Sequence, residues 1–294
     1  MIAQRKAGTL RYFWFSASVL AGGPVFRRKI SLCASALIAI TAFGAAGAQE
    51  RRASTSETRL IDGGFIDGAR YAGLEIRLPS EAVTYWRNPG DAGAAPQFDF
   101  SHSENVAAAE PLYPAPERID EEGVQAFGYR HEVTFPIRVT PREKDKPVIL
   151  ALSLDYAACE KLCLPVHAER RLVLPPQAEA PESRVTEALR RVPRRLDKAQ
   201  TLDFAQIRPV AMSAEKPQWL LRFAPGEARD IFIEAPSGFY IDAAPAAEAG
   251  AFLLTLAEHP AEKTTPDAPI RVTVSAPAPL EFELTLPSHE KPLK

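Results

Sequence analysis

The sequence predicts an all-β protein in which two β-sandwich domains follow a cleaved signal peptide. Three observations predict it. Apolar and polar residues alternate over several stretches, which is typical of strands that bury one face. After residue 48 the chain carries 26 of its 27 prolines, and turns and sheet edges accept proline better than helix interiors do. The first 48 residues contain no acidic residue and have the segment order of an export signal.

The export signal is predicted at residues 1–48. A basic cluster at 27–29 precedes an apolar run at 30–43, and a small-residue cleavage site follows at 46–48. The run holds 14 residues, whereas a membrane-spanning helix needs about 20, so a membrane anchor is the less favoured alternative. The late position of the basic cluster is consistent with a misassigned N-terminal extension over residues 1–25. We therefore expect a periplasmic protein with no membrane span in its mature chain.

The alternating stretches predict the strands, and one interruption predicts the domain boundary. The clearest predicted strands lie at 133–139, 148–156, 172–174, 219–223, 270–274 and 280–286. Between 181 and 192 the alternation stops, and Val185, Leu189 and Val192 recur at helical spacing. This pattern predicts a linker helix over 181–194, which joins a first sandwich over 49–180 to a second over 195–294.

The charge of the predicted mature chain argues against nucleic acid as a partner. The leader holds six of the 35 basic residues and none of the 37 acidic ones. The rest of the chain therefore has 29 basic residues and a formal charge of −8. Binding to phosphate needs a basic surface instead.

Two cysteines are the most informative residues of the mature chain. Cys33 falls within the leader, which leaves Cys159 and Cys163, and an even count in an exported protein indicates a disulfide. A ring this short constrains the unfolded chain little, so stability is a poor reason for the pair. The predicted strands on either side place both cysteines in a strand-to-strand loop, where another protein can reach a thiol.

The residues alone leave three roles open for this loop. Thiol–disulfide exchange needs an accessible sulfur and a second cysteine; Lys161 favours a thiolate there and Glu160 opposes it. A purely structural disulfide is the second role. The third is a metal site, because His167 follows Cys163 at the same spacing of four, and two thiolates with an imidazole suit Cu(I) or Zn(II).

His167 and the pair Glu121 and Glu122 also have interpretations that involve no functional site. Pro165 argues against a helix that would align the cysteines with His167, so His167 is also read as an exposed strand residue. Glu121 and Glu122 lie in a polar stretch, which we interpret as a solvated loop and not as a second site.

The residues around the cysteines resemble a known family. Residues 154–165 read LDYAACEKLCLP, and they resemble the cysteine motif in the N-terminal periplasmic domain of the DsbD and ScsB thiol–disulfide interchange proteins. Upstream segments are similar to the ScsB-like branch, namely YWRNPG at 85–90, FDF at 98–100, SENV at 103–106 and YPAPER at 113–118. The resemblance covers residues 55–175 well and the remainder loosely.

The resemblance implies immunoglobulin-like sandwiches, with the cysteine pair at one end of the first. It implies that Cys163 forms the mixed disulfide with a partner and that Cys159 resolves it, without a cofactor. Tyr156, Lys161 and Pro165 would support the pair as parts of the motif. Some family members shield the sulfurs with a cap loop. We therefore expect the segment 85–93 near the site, with Trp86 as an aromatic cover or, alternatively, packed in the core.

The resemblance also implies partners. Electrons would pass from a membrane thiol–disulfide reductase, or a thioredoxin-like periplasmic protein, to periplasmic substrates, which makes the protein a thiol–disulfide oxidoreductase if it is active. Family members usually continue into a membrane domain and a thioredoxin-like domain, which this sequence does not contain. We therefore expect a separately encoded electron donor, or a redox role that is lost or changed.

Two alternative functions stay open at this point. ScsB-like proteins are associated with copper tolerance, which favours a copper-binding role for Cys159, Cys163 and His167. The other alternative is a protein-binding module in which the disulfide only shapes a recognition loop.

Overall fold

The computed structural model describes most of the chain beyond the predicted leader. The described residues are 56–79, 81–177, 182–211, 216–224, 227–261 and 265–288. The predicted signal peptide, including Cys33, lies outside them. Within these ranges no helix combines the length and the apolar character that crossing a membrane requires.

The first half of the described chain forms two antiparallel sheets. Its strands are β1 (Glu57–Ile66), β2 (Ala69–Arg77), β3 (Val83–Gly90), β4 (Gln97–Asp99), β5 (Val106–Pro111), β6 (Glu117–Glu121), β7 (Val124–Arg130), β8 (Glu132–Pro141), β9 (Val148–Cys159) and β10 (Cys163–Leu174). One sheet has the order β1-β2-β8-β5, and the other has the order β10-β9-β3-β7-β6 with β4 paired to β9. We call these two sheets the first sandwich.

The second half forms another pair of sheets, which we call the second sandwich. Helix α1 (Ser183–Arg191) precedes it along the chain. The elements of the second sandwich are β11 (Arg194–Arg195), α2 (Lys198–Phe204), β12 (Ala205–Ala211), β13 (Gln218–Phe223), β14 (Asp230–Glu234), β15 (Tyr240–Pro245), β16 (Ala251–Glu258), β17 (Ile270–Ser275) and β18 (Leu280–Leu284). The sheet orders are β11-β18-β17-β14 and β12-β13-β16-β15. The all-β prediction is confirmed.

Strand β9 illustrates how the alternating sequence builds the first sandwich. Successive side chains of a strand point to opposite faces of its sheet. The even-numbered side chains from Val148 to Ala158 lie in the main core, together with Phe135 of β8 in the other sheet and Tyr129 of β7. The odd-numbered Ala157 and Cys159 belong instead to a smaller apolar cluster. The cysteine therefore lies on the outer face of its sheet.

Helix α1 packs against the first sandwich. Val185 is fully buried and clusters with Ile61 and Tyr71 of the β1–β2 hairpin. The helix approaches so closely that a Cβ on Gly73 would lie 2.8 Å from a methyl carbon of Val185. The helical spacing at 181–192 thus corresponds to a real helix, and its apolar face covers the outer side of the other sheet.

The two sandwiches share buried aromatic side chains. Phe232 of β14 is almost fully buried among residues of the first sandwich. Its ring centroid lies 5.9 Å from that of Trp86 and 5.0 Å from that of Phe127, both in edge-on geometry, which is a favourable arrangement for aromatic pairs. The predicted domains 49–180 and 195–294 stay a prediction, and residues from the two ranges meet in a common apolar core.

We predict that Phe232→Ala lowers the free energy of unfolding by about 3–5 kcal/mol, the usual cost of truncating a buried phenylalanine. Urea unfolding followed by circular dichroism measures the loss. Leu202→Ala is the control, because Leu202 is 66% exposed and should change stability by about 0.5 kcal/mol or less. Equal stabilities of the two variants would contradict the shared core.

Candidate functional site

The cysteine pair closes the hairpin between β9 and β10. Cys159 is the last residue of β9 and Cys163 the first of β10, and the two are direct partners in the antiparallel register. A disulfide joins them, with a Cα–Cα distance of 4.0 Å. Only residues 160–162 lie between the strands, so the predicted loop is a short turn with a cysteine at each end.

The two sulfur-bearing residues differ in exposure. Cys159 is only 3% exposed and packs with Val83, Tyr85 and Ile119 in the small outer cluster. Cys163 is exposed. Leu162 and Leu164 beside it are 72% and 42% exposed, so an apolar surface flanks the accessible cysteine. A reagent or protein from solution therefore meets Cys163 first.

A tyrosine hydroxyl lies next to the accessible sulfur. The Tyr85 hydroxyl is 3.6 Å from Cys163 Sγ, and it donates to the two carboxylate oxygens of Glu121 at 3.0 and 3.1 Å. Burial, followed by the hydrogen bond to Glu121, raises the pKa of Tyr85. The hydroxyl keeps its single hydrogen near neutral pH, and in this disulfide form that hydrogen is donated to Glu121. In the reduced protein the same hydrogen can turn to a Cys163 thiolate only by leaving the carboxylate.

A groove with a predominantly acidic lining runs beside the disulfide. Its volume is about 350 Å³, and Cys159, Cys163 and Ala92 contribute to its wall. Its charged lining residues are Glu81, Asp120, Glu121, Glu122, Glu160, Arg130 and Lys161. The lining therefore holds five carboxylates and two cationic side chains. This excess of negative charge favours contacts with positively charged groups on an approaching molecule.

The segment 86–93 reaches this site from β3. Strand β3 pairs with β7 at Tyr85 and again at Gly90, and the residues between them bulge out of the ladder. Beyond the bulge, Ala92 packs against the small outer cluster. A Cβ on Gly93 would lie 2.4 Å from a ring carbon of Tyr85, so only glycine allows this close approach. The predicted proximity of segment 85–93 to the cysteines matches this arrangement.

Trp86 does not cover the disulfide, and this part of the expectation is wrong. Its side chain is fully buried in the main core, edge-on to Phe232. Adjacent strand residues point to opposite faces, so Tyr85 faces the cysteines and Trp86 faces inward. Trp86 instead packs in the core, as the alternative expectation had it.

The other predicted supporting residues lie close to the cysteines in sequence but differ in their contacts. Tyr156 faces the main core, and its hydroxyl is 2.6 Å from the Ser56 hydroxyl. Lys161 is exposed in the turn and lines the groove. Pro165 is exposed in β10 opposite Ala157, in a strand at the end of its sheet, where proline is tolerated.

The structure does not bring His167 to the cysteines. His167 lies four residues along β10 from Cys163, about 13 Å at the usual strand rise. Its Nδ1 atom is 2.8 Å from a carboxylate oxygen of Asp155, and this hydrogen bond and charge raise the pKa of His167. Among the described residues no group of three or more His, Cys, Asp or Glu side chains could hold a metal ion. The three-residue copper site is therefore a wrong expectation for this structure.

Sequence reasoning missed Tyr85 and Glu121 as site residues. Glu121 ends strand β6 and accepts the Tyr85 hydroxyl, so its interpretation as part of a solvated loop is wrong. The signal that could have found Tyr85 is the alternation of β3, which sends either Tyr85 or Trp86 to the outer face. Nothing in the local sequence pairs Glu121 with a tyrosine 36 positions away.

Comparisons with known proteins show which family this part of the chain is similar to. Residues 62–175 match the family model described as "Thiol:disulfide interchange protein DsbD, N-terminal". This part of the chain is similar to the N-terminal domain of DsbD. The matched range contains both cysteines, Tyr85 and Glu121. A search of curated proteins found no match to the chain.

One solved structure extends the likeness in fold beyond residues 62–175. The N-terminal periplasmic domain of ScsB from Proteus mirabilis is 20% identical, with a TM-score of 0.60 over 79% of this chain and 94% of that one. The reduced DsbD N-terminal domain of Neisseria meningitidis is 16% identical, with a TM-score of 0.25 over 39% of this chain and 82% of that one. The ScsB match supports the fold of both sandwiches.

We predict opposite effects of Tyr85→Phe and Glu121→Gln on the reactivity of reduced Cys163. Loss of the Tyr85 hydroxyl removes a hydrogen-bond donor that can reach the thiolate. The curve of alkylation rate against pH should therefore move to higher pH by about one unit, which is equivalent to about 1.4 kcal/mol. Loss of the carboxylate removes a nearby like charge and should move the curve downward by about one unit or less. Iodoacetamide labelling between about pH 5 and about pH 10, a range that spans the usual thiol pKa of about 8.5, measures both shifts.

The neighbouring Glu122→Gln variant is the control, since Glu122 lines the same groove and has no described contact with Tyr85. Its curve should move less than that of Glu121→Gln. Shifts of the same sign in Tyr85→Phe and Glu121→Gln would contradict the assigned roles.

Proposed function

We propose that the protein is a periplasmic thiol–disulfide interchange module that relays electrons through Cys159 and Cys163. Cys163 is the cysteine that exchanges with partner proteins, and Cys159 is the resolving cysteine. The DsbD N-terminal match over residues 62–175 supports the interchange role.

The observation that carries the assignment of roles is the unequal burial of the pair. Exchange requires the attacking thiolate, the attacked sulfur and the leaving sulfur to align, so access limits which sulfur reacts. Cys159 is buried against the small outer cluster, whereas Cys163 is exposed beside two exposed leucines. This asymmetry favours a mixed disulfide through Cys163.

The proposed reaction moves two electrons from the module to a partner disulfide. The Cys163 thiolate attacks one sulfur of that disulfide, so a Cys163–partner bond forms and the other partner sulfur leaves as a thiolate. The Cys159 thiolate then attacks Cys163 Sγ, which forms the Cys159–Cys163 disulfide and releases the second partner thiolate. A donor dithiol regenerates the module by the reverse exchange.

The proposed partners are thiol–disulfide proteins on both sides of the relay. A membrane thiol–disulfide reductase or a thioredoxin-like periplasmic protein would supply the electrons. The exposed Leu162 and Leu164 give such a partner an apolar contact next to Cys163, and desolvated apolar contacts of this kind are typical of interface centres. The ScsB relative is described as a periplasmic domain, which supports the same compartment here.

We predict that Cys159→Ser traps a mixed disulfide and that Cys163→Ser does not. Each reduced variant is mixed with oxidised glutathione, and intact-mass spectrometry follows the adduct. The Cys159→Ser protein should form the adduct at least about tenfold faster, because exposing a buried thiol costs free energy and about 1.4 kcal/mol is a factor of ten. Equal rates, or a faster Cys163→Ser protein, would reverse or remove the assigned roles.

We predict a reduction potential of the disulfide in the range of exchange proteins, about −120 to −270 mV. Equilibration of the mature protein in glutathione or dithiothreitol buffers, followed by counting of free thiols, measures it. A value below about −300 mV, where structural disulfides lie, would contradict the relay and favour a binding module with an inert bridge.

A further inference from the structure

The second sandwich contacts the segment of the first that lies against the cysteines. The segment 86–93 begins in the bulge of β3 and ends beside Tyr85. Its first residues face β14 and β18 of the second sandwich, and its last residues face the disulfide. One short stretch of chain therefore connects the second sandwich to the redox site.

Arg87 makes the strongest of these contacts. Its guanidinium donates to Glu234 at 2.7, 3.1 and 3.2 Å and also pairs with Glu281. The guanidinium carbon Cζ of Arg87 lies 4.5 Å from the ring centroid of Trp86. Arg87 and Glu234 are only 23% and 22% exposed, so water screens this pair less than it screens a surface ion pair.

Further contacts hold Asn88 and Asp91, which follow Arg87 in the segment. Asn88 donates its side-chain amide to the backbone carbonyl of Ile233 at 2.9 Å. Asp91 lies beside the hydroxyl of Tyr240 in β15; burial, followed by the hydrogen bond to Asp91, raises the pKa of Tyr240. The segment is thus held from the second sandwich at several successive points.

The far end of the segment restricts the approach to Cys159. Ala92 packs on the small outer cluster that contains Cys159, and it lines the groove beside the disulfide. The Asp91 amide donates to the backbone carbonyl of Gln125 at 2.9 Å, which ties this end to β7. Movement of the segment away from the sheet would open the buried side of the disulfide.

We propose that the second sandwich holds the segment 86–93 against the cysteine site through Arg87, and that this contact keeps Cys159 inaccessible to outside thiols. Arg87 is a positioning residue, since it touches neither sulfur. The inference rests on the proposed function in one respect: in an exchange module, a shielded Cys159 leaves Cys163 as the sole point of exchange. It gives the second sandwich a role in the selectivity of the site.

The test compares the labelling of the two cysteines when the Arg87 contact is lost. Glu234→Gln combined with Glu281→Gln removes both charges that pair with Arg87 while keeping the shapes of the side chains. The reduced full chain is labelled with iodoacetamide, and peptide mass spectrometry gives a separate rate for each cysteine. We expect Cys159 to label about tenfold faster than in the unmodified protein, equivalent to about 1.4 kcal/mol, and Cys163 to change by less than about twofold.

A matched control separates this effect from a general loosening of the interface. Arg118 pairs with Asp230 across the same interface at 3.0 Å, with side-chain exposures of 28% and 25%, and Arg118 is not in the segment. Asp230→Asn should leave the Cys159 rate within about twofold of the unmodified value. Hydrogen exchange gives a second readout: the Asp91 amide should exchange faster in the double variant, with the amides of β13 and β16 unchanged.

If the double variant fails to fold, Tyr240→Phe replaces it, because it removes only the hydroxyl beside Asp91. The Cys159 rate should then rise by a smaller factor in the same direction. A Cys159 rate unchanged in the folded variants, or an equal rise in Asp230→Asn, would overturn the proposal. Iodoacetamide needs no redox partner, so this result is independent of whether Cys163→Ser abolishes exchange.

Discussion

The two-residue period of strands β3 and β9 determines where each residue of the site lies. In β9 the even-numbered side chains fill the core of the first sandwich, and the odd-numbered Cys159 projects to the outer face. In β3 the same rule sends Trp86 inward and Tyr85 outward. A shift of either strand by one residue would exchange these faces. The burial of Cys159 and the position of Tyr85 therefore depend on the register that the apolar core enforces.

The outer face of the sheet that carries Cys159 is covered in part by Ala92, which lies beyond the bulge of β3. The bulge in β3 makes this possible, since extra residues in one strand bend it away from the ladder. Residues 86–88 and Asp91 meet the second sandwich, and Ala92 packs on the cluster that contains Cys159. The second sandwich thus has two kinds of contact with the first. Phe232 adds to its core, and Glu234 and Glu281 hold the guanidinium of Arg87.

The sequence was sufficient to predict what local pattern controls. Alternation predicted β8, β9, β13 and β17. The predicted strands on either side of the cysteines indicated a strand-to-strand loop, and the even cysteine count indicated a disulfide. The pairing of Tyr85 with Glu121 could not be predicted, because it depends on β6 lying next to β7, which lies next to β3. The expectation that Trp86 covers the cysteines was wrong for a related reason. Either aromatic could face the cysteines until the direction of β3 relative to the core is known.

The position of the disulfide within a long hairpin has a consequence for its redox cycle. Twelve register pairs join β9 and β10, from Val148–Leu174 to Cys159–Cys163. The ladder keeps the strands aligned whether or not the sulfurs are bonded, so reduction does not release the hairpin. Both thiols then stay within reach of each other, and the second one acts at a high effective concentration, as in other intramolecular reactions. The backbone hydrogen bonds of the hairpin thereby shorten the lifetime of any mixed disulfide that forms at its tip.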